Sequence, residues 1–423
     1  FRGVNVDQQK AEEGDIALES YQFEEISAEL RGEELILELP GAQVIERHAE
    51  IDPNTGEESQ VFYLISRLVP AVESGEQYQV NIKGREIQID PDAFSGTTPG
   101  LEGFDDETYL RIQDWWRLAN AGDGSARLIE TQFRSIQPDG SVILNGLPES
   151  ADNRIRQVGG ISQLPEQFGT STGALGPLRL LGVMSDPNTV IQQPKNTSFA
   201  TDGGGQVTIY YEKPVEGSRF MRPGLLFPLE AKPGEAAGTT RLNRLNFISL
   251  MLALFLGTAA LPHILIRYFT VPDPDSARKS TIIAIIGIGL FYIFTMYLGV
   301  GAINSGALNP ETSNMSAPLL ARSYGEVLFA MISGIAFTTV LATVSGLIMA
   351  ASGAVAHDLM GSIRSHTFSD DTKVRVGRLM SIVVGVIGIV LGISFREMNV
   401  SFLVGWAFAV AASANLPSLL MML

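Results

Sequence analysis

The sequence predicts an α-helical membrane protein of five spanning helices, preceded by a β-rich (α+β) soluble domain. Three observations carry this. Residues 1–240 hold 19 Lys+Arg and 38 Asp+Glu, a net of −19, whereas residues 241–423 hold 11 and 8, a net of +3. Five long uncharged apolar runs all fall after residue 244. Strand-favouring runs and turn signals cluster before residue 240. The chain-wide net charge of −16 is therefore an average over two unlike bodies.

These totals also exclude function classes. Neither part carries the basic stripe that phosphate contacts need, so no nucleic-acid partner is expected. The absence of Cys removes a disulfide scaffold, a thiolate zinc site and a Cys nucleophile. The four His (His48, His263, His357, His366) are too far apart in sequence to suggest a histidine metal cluster.

In the acidic part, Glu34–Leu39 and Val61–Leu68 read as strands. Asp52-Pro53-Asn54-Thr55-Gly56, and Pro138-Asp139-Gly140 before Ser141–Leu144, read as hairpin turns. A helix is predicted over Glu107–Ala121, with Asp105-Asp106-Glu107 as acidic charge at its N-terminus. Trp115 and Trp116 lie on it, as a ligand platform or, for at least one, as core. Ser95–Gly100 and Gly169–Gly176 read as loops, and Lys232–Thr240 as a linker. Asp52-x-Asn54-x-Gly56-Glu57 is a turn rather than a calcium loop, because Gly56 stands where a ligand is needed. No nucleophile–base pair or phosphate loop stands out, so no enzyme is expected.

The second part carries spans of about 246–268, 281–303, 327–356, 379–395 and 399–423. Each is near the roughly 17–25 residues that cross a bilayer core as helix. The joints give the orientation. Arg267, Arg278 and Lys279 follow the first span, and Arg364, Lys373, Arg375 and Arg378 follow the third. Only Arg322 follows the second and only Arg396 the fourth. Basic loops stay cytoplasmic, so the first span runs inward and residues 1–240 are extracytoplasmic. A multi-pass protein of the cell (inner) membrane is expected. The chain opens Phe1-Arg2-Gly3 and stops in an apolar run at Leu423, which reads as an internal piece of a longer protein.

Inside the spans, ionisable side chains are nearly absent, which argues against a voltage sensor or a carboxylate proton relay. Small and hydroxyl residues are dense instead. Thr339 and Thr343 are i and i+4 on one helix face, with Ala342 close to it. Hydroxyl and carbonyl oxygens gathered there suit a hard monovalent cation. The competing reading is hydroxyls bonded back to their own helix. Gly257-Thr258-Ala259-Ala260-Leu261-Pro262-His263 puts a Gly mid-span and a Pro soon after, either as a plain kink or as a helix broken to expose backbone groups. His263 reads as an interfacial or packing residue. Asn415, the only carboxamide deep in a span, must find a partner.

The string Phe255-Leu256-Gly257-Thr258-Ala259-Ala260-Leu261-Pro262-His263-Ile264-Leu265-Ile266-Arg267-Tyr268-Phe269 resembles the solute:sodium symporter family, nearest its cation/acetate branch. The likeness continues through Phe337–Leu347, Ala354-Val355-Ala356-His357-Asp358-Leu359 and Phe402–Ser413, and covers residues 246–423. It implies that the five spans are the second five-helix inverted repeat of a LeuT-like transporter core. It implies half of a Na+ site on Thr339, Ala342 and Thr343, where Ala342 departs from the family pattern by offering a carbonyl and no hydroxyl. It implies substrate contacts at Gly257, Thr258 and Ala259. The function implied is symport of a small organic anion, such as acetate or another short monocarboxylate, with Na+ or H+ as coupling ion and no further cofactor. The remaining transmembrane helices of the same full-length chain and the lipid bilayer would be its partners. A transporter-like membrane sensor, or an outer domain acting as a solute- or partner-binding module, are the alternatives.

Overall fold

A computed structural model of the chain describes residues 24–31, 34–37, 39, 41–51, 58–74, 77–83, 85–89, 101–104, 107–120, 125–150, 153–201, 204–221, 229, 238–261, 264–265, 271–359, 370–396 and 398–422. The chain divides into two compact units. One joins the β-rich region to residues 299–323, and the other holds 236–298 and 324–423.

The β-rich unit is built on two antiparallel sheets. The first contains β1 (Glu25–Arg31), β2 (Glu34–Leu37), β3 (Gln43–Ile51), β4 (Glu58–Ser74), β5 (Gln77–Ile82), β6 (Arg85–Ile89), β7 (Leu101–Phe104), β8 (Glu107–Asn120) and β9 (Ser125–Glu130). Its order is β2-β1-β9-β8-β4-β5-β6, with β3 added on β4 and β7 on β8. The second contains β10 (Gln132–Ile136), β11 (Val142–Leu144), β12 (Leu147–Pro148), β13 (Gly160–Gln163), β14 (Val190–Ala200) and β15 (Gln206–Glu216), in the order β12-β11-β10-β15-β14-β13. Two short helices, α1 (Pro177–Met184) and α2 (Gly217–Phe220), complete the unit.

The helix predicted over 107–121 is instead strand β8, paired with β4 from Phe62–Arg117 to Pro70–Tyr109. The residues show why. Leu110, Ile112, Asp114 and Trp116 alternate with Arg111, Gln113, Trp115 and Arg117, and a period of two puts each set on its own face, the first set buried throughout and the second at Trp115 and Arg117. Trp116 packs with Tyr63, Ile65 and Leu128 on one side. Trp115 packs with Phe62, Phe133, Val207, Ile209 and Tyr211 on the other. Both tryptophans are core, so neither is an exposed ligand platform. Glu107 opens a strand, and Asp105–Asp106 lie outside the described residues.

Residues 52–57 also lie outside the described residues, but their flanks pair at Ile51–Glu58 across β3 and β4, as a hairpin requires. The Pro138–Gly140 turn joins β10 to β11. Gly140 takes φ +86°, and Asp139 Oδ1 accepts from the Ser141 N–H at 2.9 Å. A second tight turn, Asn145–Gly146 with φ +50° and +83°, joins β11 to β12. Left-handed values at both positions are what a right-twisted two-residue hairpin needs.

A charged quartet is sealed in this core. Arg67 Nε lies 2.9 Å from Asp114 Oδ2, and Lys83 Nζ lies 3.6 Å from Asp114 Oδ1 and 3.2 Å from Glu130 Oε1. The Lys83, Asp114 and Glu130 side chains are at most 2% exposed. Burial pushes Lys83 down to about 8 and Glu130 up to about 8.

Among the described residues, five helices are long and apolar enough to cross a membrane. They are α3 (Thr239–Ala259), α4 (Pro274–Asn304), α6 (Glu326–Gly353) with a π-helical turn over Ala354–Leu359, α7 (Asp370–Ser394), and α8 (Val400–Ala414) continued by α9 (Leu416–Met422). The short α5 (Ser316–Arg322) lies between α4 and α6. The spanning helices are apolar on nearly every side, and large side chains such as Ile283, Phe291, Phe337 and Ile389 are exposed. A helix apolar all round belongs in lipid or against further helices. Within the unit, α3 packs on α8 and α6 packs on α7.

The segment from the end of α4 through α5 is held by the β-rich unit. Val158 and Leu308 exchange backbone hydrogen bonds, at 2.9 Å (Val158 N–H to Leu308 O) and 3.1 Å (the reverse). Arg134 pairs with Glu311 at 3.6 Å. Ala302, Ala307, Leu308, Leu319 and Leu320 form a small core around this clasp. Gly159 takes φ +110°, and a Cβ there would sit 3.2 Å from Leu308 Cδ1. An antiparallel pair that exchanges both bonds has its Cα atoms about 5.5 Å apart, inside the disulfide range. Val158→Cys combined with Leu308→Cys, in a chain otherwise free of Cys, is expected to cross-link on mild oxidation. A gel-mobility shift of the full-length protein, reversed by reductant, checks it, and free thiols after oxidation would contradict the clasp.

Candidate functional site

The first candidate group closes α3. Gly257, Thr258 and Ala259 are its last three residues, and regular helix ends at Ala260, with φ −101° and ψ 7°. Pro262 and His263 lie outside the described residues, and helical backbone resumes at 264–265. Gly257 is buried, and its hydrogen faces the backbone of α8: a Cβ would fall 2.2 Å from Phe408 O and 2.8 Å from Phe408 Cα. No rotamer change relieves a clash with backbone, so Gly257 is what allows α3 and α8 to pack this closely. Thr258 is exposed and donates its hydroxyl proton to Leu254 O at 2.7 Å.

The freed carbonyl at this helix end has a partner. Asn415 Nδ2 donates to Ala260 O at 3.2 Å. Asn415 itself interrupts helix between α8 and α9. Two helix breaks are thus tied by one carboxamide, which satisfies a carbonyl that lipid could not. The sequence marks Asn415 as needing a partner but not Ala260 as that partner, and nothing in it marks Phe408.

The second group lies in mid-α6. Thr339 donates to Ile335 O at 2.8 Å and Thr343 to Thr339 O at 2.9 Å, with Ser345 bonded to Leu341 O in the same way at 2.7 Å. The back-bonded reading therefore holds for the hydroxyl protons. It does not use up the site, because each oxygen keeps lone pairs after its proton is spent, and a cation needs only those. Thr339, Ala342 and Thr343 are all exposed. Among the described residues no cluster of three His, Asp or Glu stands ready to hold a metal. The π-helical turn follows about three turns after Thr343, on the Ala354–Leu359 stretch; such turns occur often at functional sites.

The structure does not bring the two groups together. One sits on the α3–α8 pair and the other on the α6–α7 pair.

Comparison with known proteins covers this same part of the chain. Residues 230–423 match the model of the Sodium:solute symporter family. Over 196 residues, 45% of this chain, the sequence is 50% identical to a protein of Corynebacterium glutamicum named monocarboxylic acid transporter, and it covers 36% of that protein. Over 180 residues, 41% of this chain, it is 48% identical to the uncharacterized symporter YwcA of Bacillus subtilis, covering 35% of it. No solved structure matches significantly. The chain thus spans about a third of the length of these curated relatives. The resemblance read in residues 246–423 is upheld, and the family and both relatives are named as transport proteins, not enzymes.

Proposed function

We propose, from the Sodium:solute symporter match of residues 230–423, that this chain is part of a cation-coupled symporter. It imports a small organic anion, with acetate or another short monocarboxylate as substrate, by alternating access. Its five spans form the second repeat of a LeuT-like core, completed by the remaining helices of the full-length protein. The observation that carries the reading is the family match over all five apolar helices. The name of the C. glutamicum relative supports the substrate class.

The tied breaks at Ala260 and Asn415 support the mechanism. Half-helix ends present N–H and C=O groups that an intact helix would hide; the N–H groups of a half-helix start can hold a carboxylate without a basic side chain, and the C=O groups of a half-helix end can face a cation. Thr339, Ala342 and Thr343 contribute oxygens to the coupling cation, Na+ or H+ being distinguished only by experiment. The β-rich unit faces the cell exterior of a multi-pass membrane protein. The clasp at Val158–Leu308 supports this placement, because residues 158 and 308 are separated by two crossings, α3 and α4. They must therefore lie on one side, and the joint after α4 carries few basic residues.

The full-length protein in proteoliposomes is expected to accumulate labelled acetate or propionate only under an inward Na+ or H+ gradient. Uptake of a panel of short acids that ignores both gradients would refute symport. Thr343→Ala is expected to raise the half-saturating cation concentration by about tenfold, which is about 1.4 kcal/mol of cation binding. An unchanged cation dependence would remove Thr343 from the site.

A further inference from the structure

We infer that the β-rich unit grips the joint between α4 and α6 through a proton-operated clasp: Glu212 holds the hinge at Gly159, and acid tightens the hold of Val158 on Leu308 while base loosens it. All of these residues belong to one compact unit, and only the bearing on uptake rests on the symport reading.

The hinge is built into the start of β13. Pairing of β13 with β14 ends at Gly160–Gln192. Two residues further along β14 stands Pro194, which has no N–H to offer a neighbouring strand. The chain leaves β14 there. Gly160 and Gly159 take φ +149° and +110°, values that other residues rarely adopt. The bend they make delivers Val158 to Leu308 for the backbone exchange described above. It also seats Gly159 on the end of α4, where a Cβ would lie 3.4 Å from the Ile303 carbonyl oxygen.

The Gly159 N–H finds its acceptor outside the ladder. It donates to Glu212 Oε1 at 2.6 Å. Glu212 lies on β15 in register with Pro194 and is half-buried. One carboxylate therefore fixes the glycine beside the clasp, and opening of the hinge uncovers that carboxylate. The charges around it are engaged or turned away. Arg117 on β8 acts on it only through space. Lys213 on its own strand and Lys195 on β14 alternate onto the opposite face. Glu311, on the gripped segment, pairs with Arg134 of β10 at 3.6 Å. Arg156, two residues before Val158, donates to the Lys83 carbonyl.

The sign of the response follows from burial. Burial pushes Glu212 up to about 7, against the Gly159 N–H and Arg117, which both favour the charged form. With the hinge open, the carboxyl meets water and returns towards the ordinary glutamate value of about 4.3. The clasped form thus binds the proton more tightly than the open one, so protonation favours clasping and ionisation favours opening. Between pH 6 and pH 8 the clasping equilibrium constant falls about tenfold. The gripped joint leads from α4 to α6, the helix that bears Thr339, Ala342 and Thr343. A firm hold on it resists movement of those helices.

Hydrogen exchange of the full-length protein in detergent, corrected for the intrinsic pH dependence of amide exchange, tests the clasp. Peptides covering residues 157–161 and 305–309 should lose about tenfold in protection between pH 6 and pH 8, while the β14–β15 ladder at 196–200 and 206–209 holds steady. Glu212→Gln keeps an oxygen acceptor for Gly159 without the charge, and should stay protected at both pH values. Lys83 and Glu130, which burial brings to about 8, are common to both proteins and cancel in the comparison. Equal wild-type protection at pH 6 and pH 8, or an equal loss in Glu212→Gln, would overturn the switch. A loss spread evenly over the ladder would overturn it too, because Glu212 would then act on the whole unit. In proteoliposomes at matched gradients, Glu212→Gln should match wild-type uptake at pH 6 and fall below it at pH 8; equal uptake at pH 8 would overturn the hold on transport. The expected exchange pattern without any gradient-driven uptake would sink symport and leave the clasp standing. Gradient-driven uptake with no pH-dependent exchange would do the reverse.

Discussion

Gly257→Ala is expected to abolish transport by preventing assembly of the α3–α8 pair. The added methyl carbon would lie 2.2, 2.7 and 2.8 Å from the O, C and Cα atoms of Phe408. Overpacking typically costs about 1–3 kcal/mol when side chains can shift. Here the neighbour is main chain within a helix, so relief requires moving one helix against the other. Such a shift would also stretch the Asn415–Ala260 hydrogen bond of 3.2 Å, which lies one turn away. Removing a carboxamide that serves a buried carbonyl costs about 1–3 kcal/mol by itself. The two losses are therefore coupled, and the variant should yield little monodisperse protein and at least a tenfold drop in uptake. Thr258→Ala, one residue on, removes only a hydroxyl bonded to its own helix. It should leave assembly intact, so that any effect falls on substrate affinity. A Gly257→Ala protein that purifies and transports as wild type would show that this close approach is dispensable.

The contrast between these neighbours shows where the sequence is legible. Five spans can be read because twenty uncharged apolar residues in a row have few other uses. The chemistry inside them is harder to read. Gly257 looks like many other glycines in the helices until the Phe408 backbone is seen behind it. Thr339 and Thr343 occupy one face by spacing alone, but whether their protons turn inward to the helix or outward is a question of rotamer, which spacing does not set. In the acidic part the error was one of period. Leu110, Ile112, Trp115 and Trp116 are compatible with a helix face as well as with alternation. The partner that decides the matter, β4, lies some forty-five residues earlier in the chain, beyond any local window. The Asn145–Gly146 turn was missed, although an Asn-Gly pair is a strong local hairpin signal. The buried quartet left no trace in the sequence, because Arg67, Lys83, Asp114 and Glu130 are dispersed over more than sixty positions.

That quartet is where the acidic part should be most fragile. Asp114→Ala would leave Arg67 and Lys83 with Glu130 alone, although Asp114 accepts from Arg67 Nε at 2.9 Å and faces Lys83 at 3.6 Å. Lys83 cannot turn to solvent, since its side chain is 2% exposed and its backbone sits at φ +52°. Its ammonium also donates to the Thr131 carbonyl, which places it on the seam between β9 and β10. Burial already pushes Lys83 down to about 8, opposed chiefly by Asp114, so loss of that carboxylate lowers it further. At neutral pH the choice is then between an unpaired buried charge and a deprotonated lysine, and both raise the folded state's free energy. Breaking one side of a buried pair costs about 3–5 kcal/mol. For a unit of this size that corresponds to a fall in melting temperature on the order of 10 °C. The full-length protein, followed by protease resistance of its β-rich region against temperature, provides the readout. The sign also works as a control. A lysine whose folded pKa is depressed costs stability at low pH and recovers it as pH rises from about 8 towards the ordinary lysine value near 10.4. In the variant that recovery begins at lower pH, because its Lys83 is depressed further, so the deficit of Asp114→Ala should narrow as pH rises towards about 8 and stay level above it, and Lys83→Met in the same background should remove most of it at pH 7. A deficit that neither pH nor Lys83→Met relieves would mean that Asp114 acts through Arg67 rather than through Lys83.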